Sequence, residues 1–284
     1  MKPRIAITLG DVAGIGPEIV AKALASGRIP RQFDYEIIGN ARTRRRADAA
    51  DWVVSGARRC LSGELAALVT GPISKTLLLE AGYDFPGQTE LLAHLARAKR
   101  YAMMLVGGPL RVALVTIHVP LAKVAGLISA ARIRQVIELT HHGCRRLGVA
   151  RPRIGVAGRN PHAGEGGLFG DEEKRIIAPA IRRAARQGIA ASGPWPADTL
   201  FYQAYRGEFD AVVAMYHDQG LAPLKMIAFD AGVNLTLGLP LVRTSPDHGT
   251  ARDIAGKGVA RPDSMIAAIN LAAQLASRRW RSPS

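Results

Sequence analysis

The chain opens with a strand-like run, RIAITL from Arg4 to Leu9, that breaks at once into Gly10-Asp11-Val12-Ala13-Gly14-Ile15-Gly16-Pro17-Glu18. Glycine permits the sharp backbone turns needed there, Pro17 suits a first helical position, and Glu18 complements the positive end of a helix. Strand, glycine loop and helix (Glu18 to Leu24) is the opening of an α/β fold, and the rest of the chain keeps up the alternation. Strand patterns recur at Tyr35 to Ile38, Leu65 to Val69, Met103 to Val106, Val112 to Ile117, Arg153 to Ala157 and Ala211 to Met215. Helical patterns fall at Ser74 to Ala81, Leu121 to Leu127, Ile133 to Leu147, Glu172 to Gln187 and Ser264 to Ser277. Strands interleaved with helices favour a largely parallel sheet. The 284 residues suit one large α/β domain or two lobes.

Composition removes several alternatives. Apolar residues make up 48% and charged residues 21%, which excludes disorder and coiled coil. No apolar run approaches the roughly 18–20 residues that span a bilayer, and the N-terminus enters a strand without a signal-like segment, so a cytoplasmic protein with no membrane partner is expected. Cys60 and Cys144 have no CxxC spacing, which argues against a disulfide or zinc-thiolate role. The formal charge of +15 invites a nucleic-acid reading. Its distribution argues against that reading: Arg44, Arg45 and Arg46, then Arg182, Arg183 and Arg186, then Arg278, Arg279 and Arg281 are scattered clusters. Aromatics, at 5%, do not interleave with them as a stacking platform would require. The charge reads as solvated helix faces, with no nucleic-acid partner and some attraction for a small anion.

Histidine placement carries more information. His118 follows VALVTI; His162 lies in Asn160-Pro161-His162-Ala163-Gly164-Glu165-Gly166-Gly167 after IGVAGR; His217 lies in Tyr216-His217-Asp218-Gln219-Gly220 after VVAM; His248 lies in Asp247-His248-Gly249-Thr250. Ligands of open α/β sheets bind beyond the carboxyl ends of the strands, where several such imidazoles can converge on a divalent metal and leave positions open for substrate. His94, His141 and His142 fall on helical stretches and read as structural. Downstream of His217, Lys225, Asn234 and Arg243 recur at nine-residue spacing within LAPLKMIAFDAGVNLTLGLPLVRTS. A point charge, a neutral amide and a bidentate fork are what a phosphate or carboxylate needs. Neither GxGxxG nor a Walker A sequence occurs, so a nucleotide is not held by the Rossmann fingerprint.

These segments also carry a resemblance. TLGDVAGIGPE, LVTGPISK, FPGQTE, NPHAGEGG, ADTLF, YHDQG and VNLTLGLPLVRTSPDHGTARDIAGKG resemble the 4-hydroxythreonine-4-phosphate dehydrogenase family of pyridoxal phosphate biosynthesis, over nearly the whole chain. The resemblance implies a metal on His118, His162 and His217, with zinc, magnesium or cobalt as the ion. It implies substrate contacts from Gln88, Thr89, Lys225, Asn234 and Arg243, and an obligate homodimer whose site draws ligands from both subunits. The implied reaction is the NAD-linked oxidation and decarboxylation of 4-phosphohydroxy-L-threonine to 3-amino-2-oxopropyl phosphate. Asp218, Asp247 and Lys225 are the candidate proton acceptors. The family often has His where this chain has Gln88, and Gln keeps a hydrogen bond but cannot carry charge. A relative acting on a phosphorylated threonate or erythronate, or on a cis-dihydrodiol carboxylate, is the alternative. The chain is shorter than typical members, the missing length falling between Asn40 and Leu65.

A more distant similarity, to isocitrate and isopropylmalate dehydrogenases, implies two α/β/α lobes with a cleft between them: residues 1–80 with 250–284, and residues 81–249. It also assigns His248, Gly249, Thr250, Asp253 and Ile254 to an adenosine-binding loop. A carboxylate at Asp253 would accept hydrogen bonds from a ribose diol and repel a 2′-phosphate, favouring NAD over NADP. The competing reading makes Asp253 a helix cap.

Overall fold

The computed structural model describes residues 2–43 and 45–277. Arg44, Arg278, Arg279 and Arg281 lie outside the described residues. The chain packs into two compact units, Met1–Lys99 with Asp230–Ser284, and Arg100–Phe229.

The first unit begins with β1 (Arg4–Thr8), α1 (Gly16–Ala25), β2 (Asp34–Ile38), α2 (Asp48–Leu61), β3 (Ala67–Thr70), α3 (Lys75–Glu80) and α4 (Gln88–Leu95). Ser74 caps α3 by accepting the Leu77 N–H. In the second unit β4 (Ala102–Gly107) and β5 (Leu110–Leu114) form a hairpin. They are followed by α5 (Leu121–Leu127), α6 (Ala130–Arg146), β6 (Ile154–Ala157), α7 (Ala178–Arg186), β7 (Ala191–Trp195), α8 (Ala197–Tyr205), β8 (Ala211–Ala214) and α9 (His217–Ala228). The chain then returns to the first unit as β9 (Val233–Leu237), β10 (Arg243–Pro246) and α10 (Asp263–Ala276).

Strands of the first unit run in the order β2-β1-β3-β10-β9, all parallel but for the β10/β9 pair. Those of the second run β4-β5-β8-β6-β7, antiparallel only in the hairpin. The interior strands are continuous apolar runs such as ALVT and AVVA, buried along their whole length, as strands covered on both faces must be. In the second unit Met103, Leu105, Val112, Leu114, Val212 and Ala214 meet Leu200, Phe201, Leu221 and Leu224 in one core. In the first, α2 meets Leu78 and Leu91 through Ala50 and Val54.

Three sequence expectations change. The first unit takes in residues 81–99 and 230–249 beyond the expected 1–80 and 250–284, because α4 packs on α2 and the β9–β10 pair joins its sheet through β3. The expected helix from Glu172 to Gln187 is present from Glu172 to Arg186, but its first turn, Glu173–Ile177, is wider than an α-helical turn before it tightens into α7. Pro179 has no N–H to donate to a carbonyl of that turn, and the wider turn accommodates its ring. The helix at residues 217–228 is not among the expected ones: His217 is the first residue of α9.

Candidate active site

Parallel pairing of β5 with β8 continues beyond the strands. The Val115 N–H donates to Ala214 O at 2.9 Å, and Thr116 donates to Met215 O from its N–H at 3.2 Å and its hydroxyl at 2.8 Å. Two residues further on, each segment presents a histidine. The His118 and His217 rings stand 5.5 Å apart. Gly220 lets this happen: a Cβ there would lie 2.8 Å from Val112 and 2.9 Å from Leu114, so only glycine seats the start of α9 against the strand ends. His217 donates its Nδ1 hydrogen to Asp218 Oδ1 at 2.6 Å, which fixes the tautomer and leaves Nε2 as the available lone pair. Asp218 is thus the orienting partner of His217.

His162 sits in a different setting. Pro161–Gly167 is a turn in which His162, Ala163 and Glu165 have φ of 50°, 51° and 41°, a costly conformation for residues with a Cβ. Glu173, 3% exposed, holds it in place. Its carboxylate accepts the N–H groups of Arg159 and Asn160 at 2.8 Å each and the Asn160 amide at 2.9 Å. Gln219 ties this segment to the end of β8, accepting the Met215 N–H and donating to Gly158 O, both at 2.7 Å. The roles of Glu173 and Gln219 emerge only once β6 and β8 are neighbours. His162 packs near Phe169 at 6.3 Å between ring centroids. Among the described residues of one chain, no group of three or more His, Cys, Asp or Glu side chains is placed to hold a metal. The structure therefore brings His118 and His217 together and leaves His162 apart from them.

The anion candidates divide. Lys225 is half-buried in the last turn of α9, whereas Gln88, Thr89, Asn234 and Arg243 belong to the first unit. Arg243 is 2% exposed at the start of β10. Its guanidinium donates to Thr70 Oγ1 at 3.2 and 2.7 Å, to Thr236 Oγ1 at 3.2 Å and to Gln88 Oε1 at 3.3 Å. Among the described residues no carboxylate pairs with it. Burial pushes its pKa down to about 10, against a weak opposing pull from Glu90, and it stays charged at neutral pH. Gln88 spends both ends of its amide inside the protein, donating to Gly71 O at 3.1 Å while it receives Arg243. Asn234 shares the β9 face with Thr236 by strand alternation, and its buried Oδ1 has no partner. Gln88 and the buried Thr89 open α4, whose first N–H groups lack intrahelical acceptors.

In the proposed cofactor loop, His248 Nδ1 lies 3.0 Å from Gly249 O and its buried Nε2 has no partner. Thr250 O accepts the Ile15 N–H at 2.9 Å. Asp253 and its neighbour Ile254 lie in a run of turns, with no helix beginning before α10, which removes the helix-cap reading of Asp253. Asp247 follows β10 directly. Cys60 and Cys144 are buried free thiols, each pushed up to about 12 by burial, so neither supplies a thiolate near neutrality.

Two α/β units, each on a mainly parallel sheet, with imidazoles at strand ends in one and a buried guanidinium held by hydroxyls and an amide in the other, are those of a dehydrogenase of the isocitrate dehydrogenase fold class. The chain belongs to the pyridoxal phosphate biosynthetic protein PdxA family, whose model matches residues 18–272. It is 46% identical to a 4-hydroxythreonine-4-phosphate dehydrogenase of Geobacter metallireducens, over 97% of this chain and 96% of that one. A protein of Oceanobacillus iheyensis with the provisional name D-threonate 4-phosphate dehydrogenase is 40% identical, over 97% and 98%. The crystal structure of 4-hydroxythreonine-4-phosphate dehydrogenase from Klebsiella pneumoniae superposes with a TM-score of 0.84 at 40% identity, covering 97% of this chain and all of that one. Isocitrate dehydrogenase from Methylococcus capsulatus, at 15% identity and a TM-score of 0.54 over 96% of this chain and 84% of that one, shares the fold. Among the described residues no helix is long and apolar enough to cross a membrane.

Proposed function

We propose that this protein oxidises and decarboxylates 4-phosphohydroxy-L-threonine to 3-amino-2-oxopropyl phosphate with NAD, using one divalent metal ion per site, as a homodimer. Arg243 is the observation that carries the reading. A fully buried cation with only hydroxyl and amide partners is costly unless an anion joins it, and a phosphate ester is the anion its fork fits. Asn234 Oδ1, buried and unpartnered, is an acceptor for a substrate N–H or O–H.

His118 and His217 fit a divalent ion as two of its ligands, since the Asp218 contact turns the metal-binding nitrogen of His217 outward. Imidazole nitrogens suit zinc or cobalt better than magnesium, which prefers oxygen. His162 of a second copy is the third ligand, which makes the dimer a requirement of the site. When bound, the ion supplies Lewis-acid polarisation at the substrate hydroxyl and NAD supplies the hydride acceptor. This chain's own residues position and neutralise: Arg243 and the α4 N-terminus hold the phosphate, and Gln88 and Thr70 fix the plane of the fork. Asp218 orients His217, and Lys225 or Asp247 takes the hydroxyl proton.

Gln88 favours a second reading in one respect. Being neutral and internally bonded, it places no charge next to the substrate, and the Oceanobacillus relative is named for D-threonate 4-phosphate. The test is NADH formation from 4-phosphohydroxy-L-threonine, D-threonate 4-phosphate and a cis-dihydrodiol carboxylate, with and without chelator. Turnover of the first substrate, lost with chelator and restored by zinc or cobalt, is the expected result. No NADH from either phosphorylated substrate refutes the proposal.

A further inference from the structure

Asp11 lies in the opening glycine loop and is completely buried. It is shared by two guanidiniums that reach it from distant parts of the chain. Arg46 donates to its two oxygens at 3.2 and 2.9 Å, and Arg252 donates to Oδ2 from Nε at 2.9 Å and from Nη2 at 2.8 Å. The Ala13 N–H adds a bond at 3.0 Å. Arg252 stands one residue before Asp253, within the segment assigned to adenosine. Next to it the Ile15 N–H holds Thr250 O at 2.9 Å, and a Cβ on Gly14 would lie 2.5 Å from that oxygen, so the two loops touch backbone to backbone. The far end of the same segment is fastened to α1. Lys22 Nζ donates to Gly258 O at 2.7 Å and to Ala260 O at 2.8 Å, while Glu18 accepts the Ala260 N–H at 2.9 Å. Between these fastenings the backbone of residues 251–257 has only short local turns, Ile254 N to Ala251 O, Ala255 N to Arg252 O and Lys257 N to Ile254 O.

We propose that Asp11 is a positioning residue for the cofactor: through Arg252 it fixes one end of the 250–260 loop, as Lys22 and Glu18 fix the other, so that the loop is held in its binding shape before NAD arrives. The inference rests on the assignment of this loop to the adenosine half of NAD. Three features support it. The carboxylate is aimed at the loop and not at solvent. The two anchors bracket the segment that holds Asp253. And the outer faces of Arg46 and Arg252, 36% and 45% exposed, lie where the loop meets water. A loop that must order itself on binding lowers the apparent affinity by its competent fraction, so releasing one anchor weakens cofactor binding without touching the chemistry.

The test uses the full-length protein. Arg252→Gln frees the exposed arm and leaves Asp11 paired with Arg46 and Ala13, so folding is preserved; Asp11→Asn is the companion variant. The expected results are trypsin cleavage after Lys257 accelerated roughly tenfold, and a KM for NAD raised by a similar factor while saturating kcat, substrate KM and bound metal stay within about twofold. Arg252→Lys, which keeps a charge opposite Asp11, restores part of both. A cleavage rate equal to wild type overturns the clamp. Faster cleavage with an unchanged KM for NAD overturns the positioning role. Asp253→Ser, in which both anchors are intact, tests the cofactor assignment by itself: if neither NAD nor NADP kinetics respond, that assignment fails, while cleavage still reports on the clamp.

Discussion

Replacing Arg243 by Met separates what this residue does for binding from what it does for folding. Burial pushes its pKa down to about 10, a desolvation cost of a few kcal/mol against the charged form in its buried position. Met removes that penalty and fills much of the space. The loss is the charged donor to Thr70, Thr236 and Gln88, whose own groups can re-aim, at about 1–2 kcal/mol for each that cannot. The two effects nearly cancel, so Tm should stay within roughly 5 °C of wild type for a chain of this size. Binding behaves differently. Truncating one partner of a buried charge pair costs about 2–5 kcal/mol, equivalent to a thirty- to several-thousandfold loss of affinity. The assay is thermal denaturation with and without inorganic phosphate, alongside KM for the phosphorylated substrate. Phosphate should stabilise the wild type and leave Arg243→Met unmoved, and Arg243→Lys should also lose affinity because a point charge does not replace a fork. A variant whose Tm falls by more than about 10 °C while KM holds would show Arg243 to be a structural cation, and the reasoning would fail.

Asp253→Ser should narrow the NAD preference mainly by improving kcat/KM with NADP, and equal use of both cofactors by the wild type would exclude the carboxylate as the discriminator. Glu173→Gln keeps one acceptor for the Arg159 and Asn160 N–H groups but turns the other toward donation, so the His162 turn should loosen; metal content measured after dialysis should fall well below wild type with Tm lowered by only a few degrees. Cys60 and Cys144 should resist a thiol reagent at pH 8 in the native protein and react on unfolding, since burial pushes both thiols up to about 12. The clamp at Asp11 should follow carboxylate linkage. Burial by itself would raise this group, but hydrogen bonds from Arg46, Ala13 and Arg252 outweigh it and hold the pKa below its ordinary 3.8. Its contribution is therefore complete above that value and is lost as pH falls through the lower folded-state pKa, so trypsin-like accessibility at Lys257, followed with an acid-tolerant protease, should rise only below about pH 4.

What could be read from the sequence follows from burial. The runs ALVT, IGVA and AVVA are apolar throughout because both faces of those strands are covered, and they stand out against any background. The β7 strand was invisible because ASGPW carries Gly193 and Pro194, which ordinarily punctuate turns. Helix α9 was hidden by Gly220 and Pro223, and α2 starts at Asp48 after Ala47, which has no side-chain oxygen to cap it. His118 and His217 were legible as partners because each follows a strand by a few residues. Asp11 and Glu173 were not: one lies in a glycine loop and the other in a run of charged residues, and what makes each special is a guanidinium or backbone N–H that only the folded chain brings to it.

The distribution of counter-charges argues for where the ligand enters. Asp11 is completely buried and takes two arginines; Glu138 takes Arg100 and Arg134; Asp210 takes Arg153 and Glu36 takes Arg59. The fold therefore supplies acids to guanidiniums readily, even in a chain with a net charge of +15. At Arg243, the most deeply buried of these cations, it supplies hydroxyls and an amide instead, and two residues before Thr236 it leaves an Asn234 oxygen with nothing to accept. Neither omission is stabilising in the free protein, since an uncompensated buried charge and an unmade hydrogen bond both cost free energy. Both are removed by a ligand that brings an anion and a donor together, as a phosphorylated amino alcohol does. Discrimination then comes from the same source: an analogue lacking the phosphate leaves the guanidinium uncompensated and is rejected far more strongly than a change of one methylene would allow.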